Sequence, residues 1–431
     1  MGIGTFVVIA FLYREDSGQH KSVAFLDVAR EDVESVYIQN REGDFKIDRN
    51  EDGSYIVREF QGLPNHQNMI NAYLGTITNV YSYASVSSPE NLADYGLESP
   101  SCVTDITFSN QTHMEIKIGH QTPDGKGYYA IKDGDPDVYL IEADRGVAFT
   151  QSIYLLLVTE FLPEVEAEMP EKIEKIRFSG SKRKTPVELV QLYDEIGKPA
   201  QRYRMLTPYS YDADDEAMQN IIAEVTGVMR GYVEKVFPDQ SDIARYGLAN
   251  PDYSVTLTVG GVEYTAHVGG KAGDDTRFVK REDVDIVFRV TEARLKWFTL
   301  QPADLAASLI LSRDIALVDS VSVKSETNRY DIKFGQSGGS VNGRVLSEEQ
   351  LRAAYTTLGV ITRNGIFDGT KTPDEVFLEV VYNYKNGQSD RVEYRKIDNG
   401  RLLCLINGEG IFYLYTNNVL RMIEVLEGLA K

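Results

Sequence analysis

The chain repeats one sequence pattern three times. A strand-like phrase opens each copy at residues 33–38, 173–178 and 318–323, so the copies start 140 and 145 residues apart. The same order of strand, helix and strand patterns follows each phrase. Self-similarity at a nearly fixed period is typical of repeated supersecondary units, and it constrains the fold more than any single motif. The sequence therefore predicts three tandem modules.

The helix predicted inside each copy carries one apolar stripe. Apolar residues recur at the i, i+3, i+4, i+7 spacing that places side chains on one helix face. We interpret the stripes as core positions, because a helix of this length needs tertiary burial to persist. Ser347 with Gln350 fits a capping box, and Asp212 or Asp214 can cap the second helix. The aligned positions are Ile70, Tyr73, Leu74, Ile77 and Val80, then Met218, Ile221, Ile222, Val225 and Val228, then Leu351, Ala354, Tyr355, Leu358 and Ile361.

The segments around these helices alternate apolar and polar residues. Many are β-branched or aromatic, and Gly, Asp and Pro separate them, which predicts antiparallel strands. The expected fold class is α+β, with three tandem modules that each pack an antiparallel sheet with one amphipathic helix. We expect a remnant membrane anchor and linker at residues 1–27. Repeat units one and two follow at 28–165 and 166–310, and a divergent third unit at 311–431.

A turn phrase after the helix recurs in the first two copies and is missing from the third. We expect this turn to be structural, and we predict a positive φ for its glycine, which only glycine adopts cheaply. Its residues are Tyr95, Gly96, Leu97 and Pro100 in the first copy, and Tyr246, Gly247, Leu248 and Pro251 in the second.

Length and charge exclude several classes of function. At 431 residues the chain exceeds the usual size of a single core, so several domains are expected. A net charge of −20 argues against a nucleic-acid partner, since phosphates require basic patches. The only compact basic run, 182–184, is predicted to be a solvated hairpin tip. Cys102 and Cys404 fall in predicted strands of different copies and could form a disulfide only if those copies touched.

The N-terminus suggests a membrane anchor. Residues 2–13 are uncharged and mostly apolar. Twelve residues of helix span about 18 Å, less than the roughly 30 Å hydrocarbon core of a bilayer. We interpret this segment as the C-terminal part of a single anchor, which places the protein at the cell membrane with its repeats outside the cytoplasm. A buried first strand and a cleaved signal are the alternatives.

One motif has the spacing of a calcium loop. Asp48, Asn50, Asp52 and Glu59 satisfy the EF-hand pattern of alternating oxygen ligands and a terminal carboxylate. The flanking segments are strand-like rather than helical, and Asp52-Gly53 is a common hairpin turn. We therefore predict a plain hairpin without metal, with Glu59 on the outgoing strand about 20 Å from the turn.

The sequence predicts no catalytic residue and no cofactor. The five histidines show no H-E-x-x-H pairing, and neither a nucleophile elbow nor a Gly-rich phosphate loop occurs. Paired carboxylates are too frequent in an acidic chain to indicate acid–base chemistry. We therefore expect a protein that is not an enzyme.

Four phrases together carry a family resemblance. They are the Tyr-Gly-Leu turn, Ile-Gly-x-x-Thr-Pro-Asp-Gly at 118–125, Gly-Tyr-Tyr-Ala at 127–130 and Val-Tyr-Leu-Ile at 138–141. They resemble the bacterial family catalogued as domain of unknown function 4340, over most of residues 28–300. The resemblance implies one N-terminal membrane helix, repeats outside the cytoplasm and an association with ABC-type export systems. It implies no catalytic residues.

These observations lead to three hypotheses for function. The first is a non-enzymatic, membrane-anchored scaffold outside the cytoplasm, accessory to an ABC-type transport system, with a permease and an ATPase as partners. The second is an envelope or surface module that binds polysaccharide or peptide without a transporter. The third is a hydrolase with an unrecognised site.

Overall fold

The computed structural model describes residues 23–162, 173–193, 199–226, 231–311, 313–335 and 338–431. The chain divides into two compact units, Met1–Val158 and Thr159–Lys431. The first unit contains one nine-stranded antiparallel sheet and the second contains two. With seven α-helices in the described residues, the protein is α+β and consists of three modules, as the sequence predicts.

The first module contains nine strands and two helices. Its sheet has the order β4-β3-β2-β6-β7-β8-β9-β5-β1. The elements are β1 (Val23–Asp27), β2 (Val33–Asn40), β3 (Gly43–Arg49), β4 (Tyr55–Val57), α1 (Gln67–Thr78), β5 (Asn79–Val86), β6 (Cys102–Phe108), β7 (His113–Gln121), β8 (Gly127–Lys132), β9 (Val138–Glu142) and α2 (Ala143–Thr150).

The second module has nine strands and three short or medium helices. Its sheet has the order β13-β12-β11-β10-β15-β16-β17-β18-β14. The elements are β10 (Ile173–Ser179), β11 (Val187–Tyr193), β12 (Pro199–Thr207), β13 (Tyr211–Asp212), α3 (Asp215–Thr226), β14 (Tyr232–Val236), α4 (Gln240–Arg245), β15 (Tyr253–Val259), β16 (Val262–Lys271), β17 (Thr276–Arg281), β18 (Ile286–Thr291) and α5 (Pro302–Leu305).

The third module repeats this arrangement with a long C-terminal helix. Its sheet has the order β22-β21-β20-β19-β24-β25-β26-β27-β23. The elements are β19 (Val318–Ser325), β20 (Arg329–Gly335), β21 (Gly338–Val341), β22 (Arg344–Leu346), α6 (Glu348–Gly359), β23 (Gly365–Ile366), β24 (Val376–Tyr384), β25 (Ser389–Lys396), β26 (Arg401–Ile406), β27 (Glu409–Tyr415) and α7 (Thr416–Ala430).

The three sheets share a common order of eight strands. Three strands form a meander, and the chain then passes through a helix to a strand at the far edge. Four further strands begin beside the first meander strand and end beside the far-edge strand. The ninth strand differs between modules. It is β1 beside β5 in the first module, whereas β13 and β22 extend the opposite edge in the second and third. The strand order confirms the threefold repeat that the sequence predicts.

The helix that follows the first meander lies at the same place in all three modules. α1, α3 and α6 each span twelve residues. The Ser347–Gln350 capping box is present, with hydrogen bonds of 3.2 and 3.0 Å. Asp214 caps α3 by accepting from Ala217 N at 3.0 Å. Val228 lies outside the described residues. The buried stripe residues on these helices are Ile70, Tyr73, Leu74 and Ile77, then Met218, Ile221 and Val225, then Leu351, Ala354 and Leu358.

A second helix follows the last strand of each sheet, and the sequence analysis did not predict it. α2, α5 and α7 contact α1, α3 and α6 respectively. α5 has only four residues, too short for an apolar period to be recognised. No helix in the part of the chain that the structure describes combines the length and apolarity needed to cross a membrane. The predicted anchor at residues 2–13 lies outside the described residues.

Candidate interaction site at the joint of the second and third modules

Asp212 links the second module to the third. It ends β13 at the sheet edge, opposite Arg204 of β12. One carboxylate oxygen accepts from Arg204 Nη2 at 2.7 Å, and the other accepts from Arg313 Nη1 at 2.5 Å. Arg313 lies in the segment that leads into β19. Of the two predicted candidates for the cap of α3, Asp214 is therefore the one that caps it, because two guanidinium groups occupy the Asp212 carboxylate.

Arg313 extends the same network into the third sheet. Its Nη2 donates to Asp390 Oδ2 at 3.0 Å, and Nε donates to the same atom at 3.2 Å. Asp390 also accepts from Tyr384 OH at 2.7 Å and from Asn407 Nδ2 at 2.9 Å. The side chains of Arg313, Asp212 and Asp390 are only 17%, 10% and 13% exposed. One largely buried cation thus lies between two largely buried carboxylates that come from different modules.

The surroundings keep Arg313 and Asp390 charged. Burial alone would lower the pKa of Arg313, but the charges of Asp212 and Asp390 hold it above the ordinary value. Burial alone would raise the pKa of Asp390, but hydrogen bonds from Tyr384 and Asn407 and the Arg313 guanidinium hold it below the ordinary value. Opposite charges and donors to a carboxylate favour the ionised forms. The network is therefore an ion-paired bridge at neutral pH.

An aromatic cluster completes the joint. Tyr211 and Tyr209 of the second module pack edge-on against Phe412 of β27, with ring centroids 5.0 and 5.7 Å away. The Arg363 guanidinium lies 4.5 Å from the Phe412 ring centroid. Its nitrogens also donate to three backbone carbonyls at the end of the second module, those of Ala303, Ala306 and Ala307. The aromatic and ionic contacts fix the same two modules from two directions.

Two cavities flank the joint. The first, of about 190 Å³, lies beside the ion pairs, and the second is a more open groove of about 670 Å³. Glu409 contributes to the lining of both cavities, and its carboxylate accepts from Ser210 N at 3.2 Å. The acids Asp212 and Asp390 in the first cavity are paired with guanidinium groups, an arrangement that suits holding two modules together. The groove is lined by Thr185, Pro208, Tyr209, Gln301, Pro302, Ala303, Ile366, Glu409, Gly410 and Ile411.

The Tyr-Gly-Leu turns each connect a short helix to a strand. Gly96 and Gly247 both have a φ of +71°. A Cβ on Gly96 would overlap the His120 ring, and one on Gly247 would lie 2.9 Å from Gly270 N. Gly270 N also donates to Tyr246 O at 2.8 Å.

Aromatic residues of the neighbouring strands pack on these turns. Tyr95 packs on Tyr129, with ring centroids 5.0 Å apart, and Tyr246 packs on Phe278 at 4.4 Å. Leu97 and Leu248 are buried beside them, while Pro100 and Pro251 are partly exposed where the chain approaches the next strand. The turn phrase and the Ile-Gly phrase meet in space, so together they form a packing unit.

The loop with calcium-like spacing connects two paired strands. β3 and β4 pair with Ile47 opposite Val57. Glu59 does not lie on the outgoing strand as expected, because the strand ends at Val57 and the chain turns into a 3-10 helix, Arg58–Phe60. The turn brings the Glu59 carboxylate back to Lys46 N, from which it accepts at 2.8 Å.

The other side chains of this loop also have partners within the protein. Asp48 accepts from Arg58 Nε at 2.8 Å, and Asp52 accepts from Ser54 N at 2.9 Å. Asn50 donates to the Ser54 hydroxyl at 2.8 Å. Among the described residues, no group of three or more His, Cys, Asp and Glu side chains is placed to hold a metal ion.

The burial of Arg183 contradicts the prediction that the basic run 182–184 is a solvated hairpin tip. It lies in the connection between β10 and β11, but it is only 8% exposed. Its guanidinium donates to Leu300 O at 2.7 Å and to Trp297 O at 3.2 Å. Lys182 stays near the surface and pairs with Asp252 at 2.8 Å.

Sequence reasoning missed the residues that form the joint. Arg313, Asp390 and Tyr384 belong to no motif, and the partners of Arg313 lie far from it along the chain. The only signal was that Arg313 and Asp314 interrupt an otherwise uncharged and mostly apolar run at 305–318. An isolated charged pair in such a run indicates that a buried partner is needed.

Comparison with known proteins agrees with the repeat. The model of the family described as "Domain of unknown function (DUF4340)" matches twice, at residues 57–199 and 204–364. The first match runs from the end of β4 to the start of β12, and the second runs from within β12 to the residue just before β23. No curated protein and no solved structure matches the chain. Because the two matches cover more than half of the chain, this protein belongs to the DUF4340 family and carries the family domain in tandem.

Proposed function

We propose that this protein is a non-enzymatic, membrane-anchored scaffold outside the cytoplasm, accessory to an ABC-type transport system. The observation that carries the proposal is the joint of the second and third modules. A buried ion-paired bridge and an aromatic cluster hold two sheets in one fixed relation within the unit Thr159–Lys431. A scaffold needs such fixed spacing, whereas an enzyme needs groups that are free to react.

The helices contribute to the same rigidity in this proposal. We infer that α1, α3 and α6 each lay an apolar face on their sheet, which the buried stripe residues support. The opposite faces stay polar, as in the exposed pair of Arg352 and Glu348 on α6. Each module would then be a stiff unit in which outward-facing residues remain available for partners.

The sequence supports the other two parts of the proposal. The apolar segment at 2–13 supports the membrane anchor, and the family resemblance supports both the anchor and the transporter partners. The test is affinity purification of the full chain from its native envelope after mild crosslinking. We expect a permease and an ATPase to co-purify, and to be depleted by Arg313→Met but retained with the exposed control Arg329→Met. Recovery of neither protein above an unrelated tagged envelope protein would refute the accessory role.

A second candidate is a binding module for polysaccharide or peptide. The open groove of about 670 Å³ beside the joint favours it, because it is lined by tyrosine, glutamine and threonine as well as apolar groups. Titration of the purified chain with envelope glycans and peptides distinguishes the two, since a scaffold without a ligand site shows no saturable binding in the groove. A hydrolase with an unrecognised site is the third candidate, and hydrolysis assays on the same substrates test it.

A further inference from the structure

In the first module, a short extended segment after the last strand pairs with the backbone that precedes the first helix. Asn65 and Leu157 form an antiparallel bridge. Val158 N donates to Pro64 O at 2.8 Å, and His66 N donates to the carbonyl of Leu156 at 2.8 Å. We call residues 156–158 a closing segment, because they cover the edge that leads into α1.

The second module repeats this arrangement. Ala213 and Ala306 form the bridge, Ala307 N donates to Asp212 O at 2.9 Å, and Asp214 N donates to the carbonyl of Leu305 at 2.9 Å. Its closing segment is therefore 305–307. Asp212 occupies the place of Pro64, three residues before the first residue of the helix.

The third module has the same edge without a closing segment in the described residues. Among the described residues, β22 is the last strand at that edge of the sheet, and no isolated bridge forms beside it. Val345 of β22 occupies the place of Asp212, two residues before the N-cap Ser347. Val345 is 82% exposed, whereas Asp212 is 9% exposed. The position that is covered in the second module is thus occupied in the third by an apolar side chain that is exposed to solvent.

The backbone of Val345 points outward from the sheet. Asn342 and Gly343 have φ of +50° and +84°, as in a two-residue type I′ turn. That turn makes Val341 and Arg344 the hydrogen-bonded closing pair, so Val345 lies in the next, non-hydrogen-bonded pair. Its N–H and C=O therefore face away from β21. An exposed edge of this kind is a template for another strand.

We propose that the β22 edge is a docking site for an extended apolar segment of a partner protein. The segment would pair antiparallel with Val345, donating to its carbonyl as Val158 N and Ala307 N donate to those of Pro64 and Asp212. It would also accept from Val345 N–H, because Ser347 N–H already donates to Gln350 Oε1. The closing segments read Leu-Leu-Val and Leu-Ala-Ala, so the fitting partner segment is uncharged and apolar. Strand addition of this type takes its affinity from main-chain hydrogen bonds and its specificity from alternate side chains.

This inference deepens the scaffold function, because it names the surface that a partner would use. The test is fluorescence anisotropy with a labelled peptide of the sequence Leu-Ala-Ala-Ser-Leu-Ile, copied from 305–310, titrated with the full chain. We expect saturable binding that Val345→Lys weakens about tenfold, which corresponds to about 1.4 kcal/mol. Val345→Pro should also weaken it, since proline removes the outward N–H. The matched control is Val360→Lys, at a valine that is 57% exposed at the end of α6.

Hydrogen exchange gives the second readout. Peptide binding should slow exchange at the Val345 amide and leave that of Val360 unchanged, in variants whose melting temperatures match the parent. Absence of saturable binding, or equal weakening by Val360→Lys, would overturn the proposal. A dimer that Val345→Lys disrupts, without peptide binding, would overturn it too and assign the edge to a second copy. Transporter co-purification is a separate measurement, so the two proposals can fail independently.

Discussion

Replacement of Arg313 by methionine tests whether the buried bridge holds the second and third modules together. The change keeps a long apolar side chain but removes the cation between Asp212 and Asp390. Breaking a buried ion pair costs about 3–5 kcal/mol, because it leaves an uncompensated charge. Here Asp212 keeps Arg204, and Asp390 keeps two hydrogen-bond donors. We therefore expect the free energy of unfolding to fall by about 2–4 kcal/mol.

The assay is urea denaturation followed by the fluorescence of Trp297, the only tryptophan of the chain. Trp297 is fully buried in the same compact unit, and its ring lies 5.8 Å from that of Phe178. The matched control is Arg329→Met. Arg329 is 67% exposed and pairs with Asp331 at 3.0 Å, so its loss should cost about 0–1 kcal/mol.

The double variant Arg313→Met/Asp390→Asn should recover part of the loss, because it removes one unpaired charge. The pH dependence gives a second check. The folded pKa of Asp390 lies below its ordinary value, so its contribution is complete above the unfolded pKa of about 3.9 and is lost as pH falls through the folded value. The penalty of Arg313→Met should therefore shrink below about pH 4. A penalty at pH 7 no larger than that of Arg329→Met would refute the reasoning.

Four further outcomes are expected. Gly96→Ala should destabilise the first unit by about 1 kcal/mol or more in urea denaturation, whereas Gly125→Ala, with φ of +72° and open space around it, should cost less. Gly247→Ala should destabilise the second module likewise. An unchanged urea midpoint for both turn variants would contradict the structural role of these glycines. Millimolar calcium should leave the melting temperature unchanged, and a rise abolished by Asp48→Ala would contradict this. Burial raises the pKa of the Cys404 thiol, so iodoacetamide should alkylate it at pH 8 only in denaturant, as mass spectrometry would show.

Local patterns in the sequence were sufficient to predict the repeated architecture. The stripes beginning at Ile70, Met218 and Leu351 have a helical period that needs no knowledge of distant residues. Strand alternation and the Tyr-Gly-Leu phrase are equally local. They predicted the α+β class, the threefold repeat and the family, which the strand order and the family model confirm. The second helices were missed because elements such as α5 are too short to show a period.

Tertiary structure alone decided which polar residues are buried and which apolar residues are exposed. Asp212 belongs to an acidic run that predicted a cap, yet it pairs with Arg313, 101 residues away. Arg183 belongs to a basic run but donates to carbonyls more than 110 residues away. Val345 is exposed because it lies on an edge strand without a further strand beside it. Ion pairs, hydrogen bonds to carbonyls and sheet edges depend on which segments distant in sequence come into contact. The periodicity of side chains along the sequence does not indicate those contacts.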